Sequence, residues 1–289
     1  SWWQVTGSLF ATIIGGSAIL GTIELSQKAG WAACWFLFSA AAGLFVLAVI
    51  VPKVSRLGPY TLPEMIGLFY GRRAEQTATL MIPFAWLGII AVQIIAGAKI
   101  LSSLGLFSYT SGTLLCGTVF IVYTLLGGQK SILKTDFVQA LIILAGLITI
   151  FILKIRNLDP ESVPPITPGE VFNENFSPVD LFFLLVTYSV TFVVGPDIYS
   201  RIFCARNEKV ARTSVILAAL LVIPVAGILT FLGVTATSGA GAGPENGFIL
   251  PGTSFLPPWA LGLLAASLLS AVMSSADTTL LTSSMILSE

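Results

Sequence analysis

The chain has 289 residues, of which 55% are hydrophobic and 10% charged, with mean hydropathy +0.93; this balance excludes an ordinary water-soluble domain and points to an integral membrane protein. Fourteen basic residues balance fourteen acidic ones and histidine is absent, which removes support for a nucleic-acid surface or an imidazole-based metal or proton-relay site. Cys34, Cys116 and Cys204 are scattered through apolar segments without CxxC spacing, so free packing thiols are expected rather than a disulfide framework.

The chain opens on Ser1 without an initiating Met or a cleavable signal pattern and stops at Glu289 without a tail, so a fragment is expected. Apolar stretches of about 20 residues, the length that crosses a bilayer, fall near 5–24, 30–52, 76–106, 109–127, 132–154, 179–200, 213–236 and 257–287. The expected fold class is therefore all-α, a polytopic membrane helix bundle of about eight transmembrane helices.

The first run contains SLFATIIGGSAILGT. Gly15, Gly16 and Gly21 would each cost about 1 kcal/mol relative to Ala in a helix interior. Two readings fit them equally: a helix that unwinds at mid-membrane and frees carbonyls for an ion or solute, or a small-residue groove for close helix packing. Between the second and third runs, Thr61 and Glu64 in TLPE have capping-box spacing, with Pro63 tolerated in the first turn, so a short interfacial helix is expected.

The loops at 53–73, 127–135 and 201–212 carry ten Lys and Arg, Arg201 among them, against Lys28, Lys154 and Arg156 on the other side. The bias places those three loops, and the first residues of the chain, in the cytoplasm. The proline-rich stretch 156–178 and the glycine-rich SGAGAGPENG at 238–247 read as outer loops.

Polar residues inside the apolar runs are the candidate functional groups. Asp136 in LKTDFVQ starts the fifth run, where its plain role is a charge favoured by the helix dipole. Asp197 in VGPDIYSR stands one turn before Arg201, with which it is expected to pair. Single aromatics such as Trp86, Tyr188 and Phe192 more often pack than line a pocket.

The last run ends SAVMSSADTTLLTSS, in which Ser267, Ser270, Ser274 and Asp277 recur at helical spacing. Lone hydroxyls in membrane helices usually bond back to the carbonyl four residues earlier. Asp277 needs more: an ionised carboxylate at the bilayer centre costs about 2.5 to 3.5 kcal/mol, so it calls for a cation, a proton or water. Neutral oxygens with few formal charges suit a hard monovalent cation, and sodium is the natural candidate.

The stretches YTLPEMIGLFYGRR, VYTLLGGQKSILKTDFVQ, GPDIYSRIFCARNEKVAR and LLAASLLSAVMSSADTTLLTSS, in this order, together resemble the sodium/solute symporter family over essentially the whole chain. The resemblance implies a leucine-transporter-like core of two five-helix inverted repeats. Residues 1–155 would form the first repeat, 156–178 an extracellular loop and 179–289 the first three helices of a truncated second repeat. It implies a sodium site built from the carbonyls of Ala11, Ile14 and Ala271 and the hydroxyls of Ser274 and Ser275. A second cation or proton site would use Asp136, Ser274, Asp277 and Thr278; Asp277 stands where the family pattern has a hydroxyl, so two carboxylates there would hold a second cation or share a proton.

For the solute, Ser17 and Ala18 replace the acidic and amide side chains of sugar-carrying members, and Thr191 beside Phe192 replaces their aromatic gate. A small amino acid or carboxylate is expected instead, in a pocket of Gly16, Ser17, Trp86, Gln93, Tyr188, Thr191 and Phe192, with amides of the unwound break facing the anionic group. The function expected is sodium-coupled symport by a multi-pass protein of the cell membrane. Its partners would be a small-molecule solute and the lipid bilayer, with neither nucleic acid nor an obligate protein partner. A proton-coupled transporter, or a channel or sensor with a degenerate core, is the alternative. An intramembrane protease is disfavoured by the missing histidine and the missing GxGD motif.

Overall fold

The computed structural model describes residues 1–57, 61–105, 107–157, 168–237 and 256–288. Every long apolar run becomes a helix, because in hydrocarbon each backbone amide must find its partner inside its own segment. The helices in chain order are α1 (Trp2–Ile13), α2 (Gly16–Ala29), α3 (Cys34–Ser55), α4 (Leu62–Tyr70), α5 (Arg72–Ser103), α6 (Tyr109–Arg156), α7 (Pro168–Val171), α8 (Pro178–Leu184), α9 (Val190–Val194), α10 (Pro196–Ile202), α11 (Glu208–Thr237) and α12 (Pro258–Leu287). A 3-10 turn, Gly30–Ala33, joins α2 to α3, and a π-helical turn, Leu185–Ser189, joins α8 to α9.

Among the described residues, six segments are long and apolar enough to cross a membrane, or seven if the pair Pro178–Val194 and Pro196–Ile202, bent by 42°, is one span. Their outer faces are apolar, with Leu125 and Leu126 about four-fifths exposed, as lipid-facing side chains are. The protein is an integral, multi-pass membrane protein.

Three departures from the expected spans matter for the site. The first run is two helices, α1 and α2, that meet at Ile14 and Gly15. The fourth and fifth runs follow one another through α6, broken where Gly128 takes φ 61°, a conformation open to glycine at little cost. The sixth run is interrupted twice, by the π-helical turn and at Gly195, whose ψ of 118° leaves the helical region before Pro196 starts α10. The expected interfacial helix is present as α4, with Thr61 N–H donating to Glu64 Oε2 at 2.7 Å and Thr61 Oγ1 accepting from Glu64 N–H at 3.4 Å. Within the expected outer loops, 158–167 and 238–247 lie outside the described residues.

The buried centre is formed where α12 lies along α6 and α5, α11 along α3, and α1 against α6, α11 and α12. Leu9, Phe10, Ala11 and Ile14 of the first broken helix are fully buried there. Small residues set the spacing: a Cβ at Gly146 would overlap the Ser267 hydroxyl, and one at Gly43 would overlap the Ser189 carbonyl, as expected where close backbone approach replaces a hydrophobic drive between helices.

Candidate functional site

The break between α1 and α2 has a specific effect on backbone hydrogen bonding. Phe10 accepts the Ile14 N–H at 2.9 Å and Gly15 accepts the Ile19 N–H at 3.0 Å, while Gly15 is extended at φ −80°, ψ 176°. The carbonyls of Ala11 and Ile14, both on fully buried residues, receive no backbone N–H among the described residues. Such carbonyls are strong acceptors that must be satisfied by something else.

Facing this break is α12. Ser275 donates its hydroxyl to the Thr12 carbonyl at 2.9 Å, and Gly15 packs so closely that a Cβ there would overlap Ser275 Oγ. Ala271 and Ser274 are fully buried on the same helix. Donation by Ser275 leaves its oxygen lone pairs free beside the broken helix, and neither the hydroxyl nor the carbonyl it meets carries a formal charge. The glycine break thus serves both ends proposed from the sequence: it interrupts the helix and admits α12.

Beside it lies a second cluster. Asp136 is fully buried, accepting Ser274 Oγ on Oδ1 at 2.7 Å and Ser8 Oγ on Oδ2 at 2.5 Å. Arg201, also fully buried, reaches the same Oδ2 with Nη2 at 3.3 Å. It donates from Nε to Ser8 at 2.8 Å, from Nη1 to Ser200 at 3.4 Å, and from Nη2 to Thr278 Oγ1. Thr278 also lies 3.3 Å from the Thr12 hydroxyl.

Two expectations are corrected here. Arg201 is not a cytoplasmic loop charge but sits inside the bundle, and its ion pair is with Asp136 rather than with Asp197. Asp136 is more than a charge set against the helix dipole at the start of its run; it lies two turns beyond the Gly128 break, held by two hydroxyls and the Arg201 guanidinium. Asp277 is separate: its Oδ1 accepts Thr124 Oγ1 at 3.3 Å, and its buried Oδ2 has no hydrogen-bond partner among the described residues. Asp136 and Ser274 are therefore bonded directly and Thr278 joins them through Arg201, whereas Asp277 is tied instead to the half of α6 before the break.

Of the expected solute pocket, Gly16, Ser17 and Gln93 come together. Gln93 Oε1 accepts the Gly16 N–H at 3.2 Å and its Nε2 donates to Ser17 Oγ at 3.1 Å. Tyr188 and Phe192 form a second group, with Tyr188 stacked on Phe36 at 4.2 Å and edge-on to Phe192 at 5.1 Å. Trp86 carries a buried indole N–H without a partner among the described residues. Thr191 is exposed and its hydroxyl bonds back to the Thr187 carbonyl at 3.0 Å, within its own segment.

Ser8, Thr12, Thr124 and Arg201 were missed from the sequence. Ser8 and Thr12 stand four apart on α1, the same-face spacing that marks the polar stripe of α12. Arg201 gave no such signal, because a base ending an apolar run reads as an anchor.

A family model described as the sodium:solute symporter family matches residues 1–289. The sodium/pantothenate symporter of Escherichia coli (strain K12) is 25% identical over 304 residues, covering 96% of this chain and 61% of its own length. The sodium/glucose cotransporter 2 of Rattus norvegicus is 32% identical over 149 residues, covering 50% of this chain and 22% of its own. A solved chain of a Na+-coupled sialic acid symporter in a substrate-bound outward-open state superposes with TM-score 0.81 at 19% identity, covering 99% of this chain and 64% of that one. The chain thus spans less than two thirds of the length of the pantothenate symporter and of the solved symporter.

Proposed function

We propose, since this chain belongs to the sodium:solute symporter family, that it carries out sodium-coupled symport of a small organic solute by alternating access in the cell membrane. The observation that carries the proposal is the pair of buried carbonyls, Ala11 and Ile14, left without backbone donors where Ser275 meets the broken helix. With the Ala271 carbonyl and the Ser274 hydroxyl they form a neutral oxygen set suited to a hard monovalent cation. Bound sodium would supply the driving force, since moving an elementary charge across 100 mV is worth about 2.3 kcal/mol.

In this proposal the chain crosses eight times, with α1 and α2 together making the first crossing and α3 the second. Gly16–Ser55 has 40 residues; at about 1.5 Å per residue a single helix of that length would span roughly twice the hydrocarbon core. The positive φ of 59° at Gly30 supplies a turn between α2 and α3. Residues 1–155 then form the first five-helix repeat and 179–289 the opening of an inverted second.

For the solute we favour a carboxylate or small amino acid. Gln93 fixes the start of α2 through Gly16 and Ser17, leaving helix N-terminal amides to meet an anionic group. A relative matched over 96% of the chain is named for pantothenate, a carboxylate, whereas the glucose relative matches half of it. A proton-coupled transporter is the second reading, favoured by the buried, unpartnered Oδ2 of Asp277.

The test is a sodium titration of tryptophan fluorescence on the complete protein, with potassium as control, repeated in Ser274→Ala/Ser275→Ala. A saturable, sodium-specific change that weakens at least tenfold in the double variant is expected. Solute uptake that follows a pH gradient and is indifferent to replacement of sodium would establish the second reading instead.

A further inference from the structure

We infer that Arg201 is a tethered cation, holding the Asp136 carboxylate against a free cation and closing the way from the broken helix to a cavity on the cytoplasmic side. The inference rests on the sodium-symport reading for the direction of ion movement, but the competition at Asp136 follows from the contacts alone.

All three guanidinium nitrogens are engaged, on Ser8, Ser200, Asp136 and Thr278. Both oxygens of the Asp136 carboxylate are engaged as well, by Ser274 on one and by Ser8 and Arg201 on the other. The result is a buried positive charge surrounded by a carboxylate and hydroxyls, an oxygen environment that would equally suit an alkali cation. The two occupants exclude each other, since like charges cannot share one buried carboxylate without large repulsion.

A fold-holding ion pair is the plainer account. Two observations go beyond it. Desolvation offsets most of the attraction in a buried pair, so stability alone is a weak reason for one. The pair also lies on a continuous line of hydroxyls, Ser274, Thr278 and Thr282, spaced four apart along one face of α12. Ser274 is bonded to Asp136 and Thr278 to Arg201, while the Thr282 hydroxyl is buried without a partner among the described residues. Thr282 lines a partly open cavity of about 160 Å³ together with Thr61, Gln129, Tyr199 and Ser200. The guanidinium spans the middle of this line. A cation leaving the broken helix toward that cavity meets Arg201 first, and passes only when α10 carries the side chain away.

The experiment is equilibrium binding of radioactive sodium to the purified complete protein, comparing wild type, Arg201→Gln and Arg201→Gln/Asp136→Asn. Removing the guanidinium leaves a buried carboxylate that must recruit a counter-ion. The expected result is an additional equivalent of sodium in Arg201→Gln, lost again in the double variant. Arg201→Met, which fills the same space without polar demand, carries the same readout where the Gln variant is not recovered folded. An unchanged sodium count, the carboxylate having taken up a proton instead, overturns the inference. Wild type binding sodium normally with no gain in Arg201→Gln rejects only the tethered cation; no sodium bound by either protein rejects the sodium-symport reading with it.

Discussion

Asp136 and Asp277 are two buried acids near one polar face, yet their surroundings make them respond differently to the same change. Asp136 balances a fully buried Arg201, whereas Asp277 meets a single Thr124 hydroxyl. Replacing Asp136 by Asn leaves the guanidinium uncompensated and is expected to destabilise the protein by about 3 to 5 kcal/mol, the usual cost of breaking a buried pair from one side. Asp277→Asn keeps an acceptor for Thr124 and breaks no ion pair, so its melting temperature is expected to stay near wild type or rise. Thermal unfolding in one detergent compares them directly, and equal losses would contradict this account of the two environments. Asp277 was marked by the cost of a carboxylate in hydrocarbon, which needs no knowledge of neighbours. Arg201 was not legible, because its partner lies 65 residues away along the chain and nothing local distinguishes a buried base from an interfacial one.

The elements were legible where one physical demand dominates. Apolar length marked the membrane helices, though not their breaks, and the paired glycines left open a break in the first run or a packing groove, because glycine combines a weak helix preference with room for a neighbour. Gly15→Val would push a side chain into the space of the Ser275 hydroxyl, separating α12 from the break; sodium affinity is expected to fall at least as far as in Ser275→Ala. Gly146→Ala is the matched control. It crowds Ser267 of the same helix α12, but from α6 and away from the break, so it is expected to cost about 1 to 3 kcal/mol of stability while leaving sodium affinity unchanged. Loss of affinity in Gly146→Ala would show that helix spacing in general, rather than the contact at Gly15, sets the site. The π-helical turn and the swing at Gly195 escaped the sequence reading, because each changes the backbone path without changing the apolar run that contains it.

At the scale of the molecule, moving Arg201 into the bundle reduces the cytoplasmic excess from ten bases to nine against three, by removal of that one residue; the orientation argument survives. It predicts the labelling of exposed positions at opposite ends. In a cysteine-free background, Asn175→Cys is expected to react with an impermeant maleimide on intact cells, and Asn207→Cys only after permeabilisation; both residues are exposed. The reverse pattern would invert the whole topology and, with it, the side to which the Thr282 cavity opens.

The wide turn at Leu185–Ser189 gives this molecule a stored step of rotation. A π-helical bond passes over one residue more than an α-helical bond does, and one α-helical residue amounts to about 100° of turn and about 1.5 Å of rise. Were that turn to tighten, the spare residue would be handed on along the segment. Everything as far as the Gly195 swing would then advance like a screw, reorienting α10 while its own internal hydrogen bonds stayed closed. Ser189 is anchored by its hydroxyl to the Ser39 carbonyl on α3 at 2.5 Å, and its own carbonyl presses on Gly43, so the thread of that screw runs against a fixed nut.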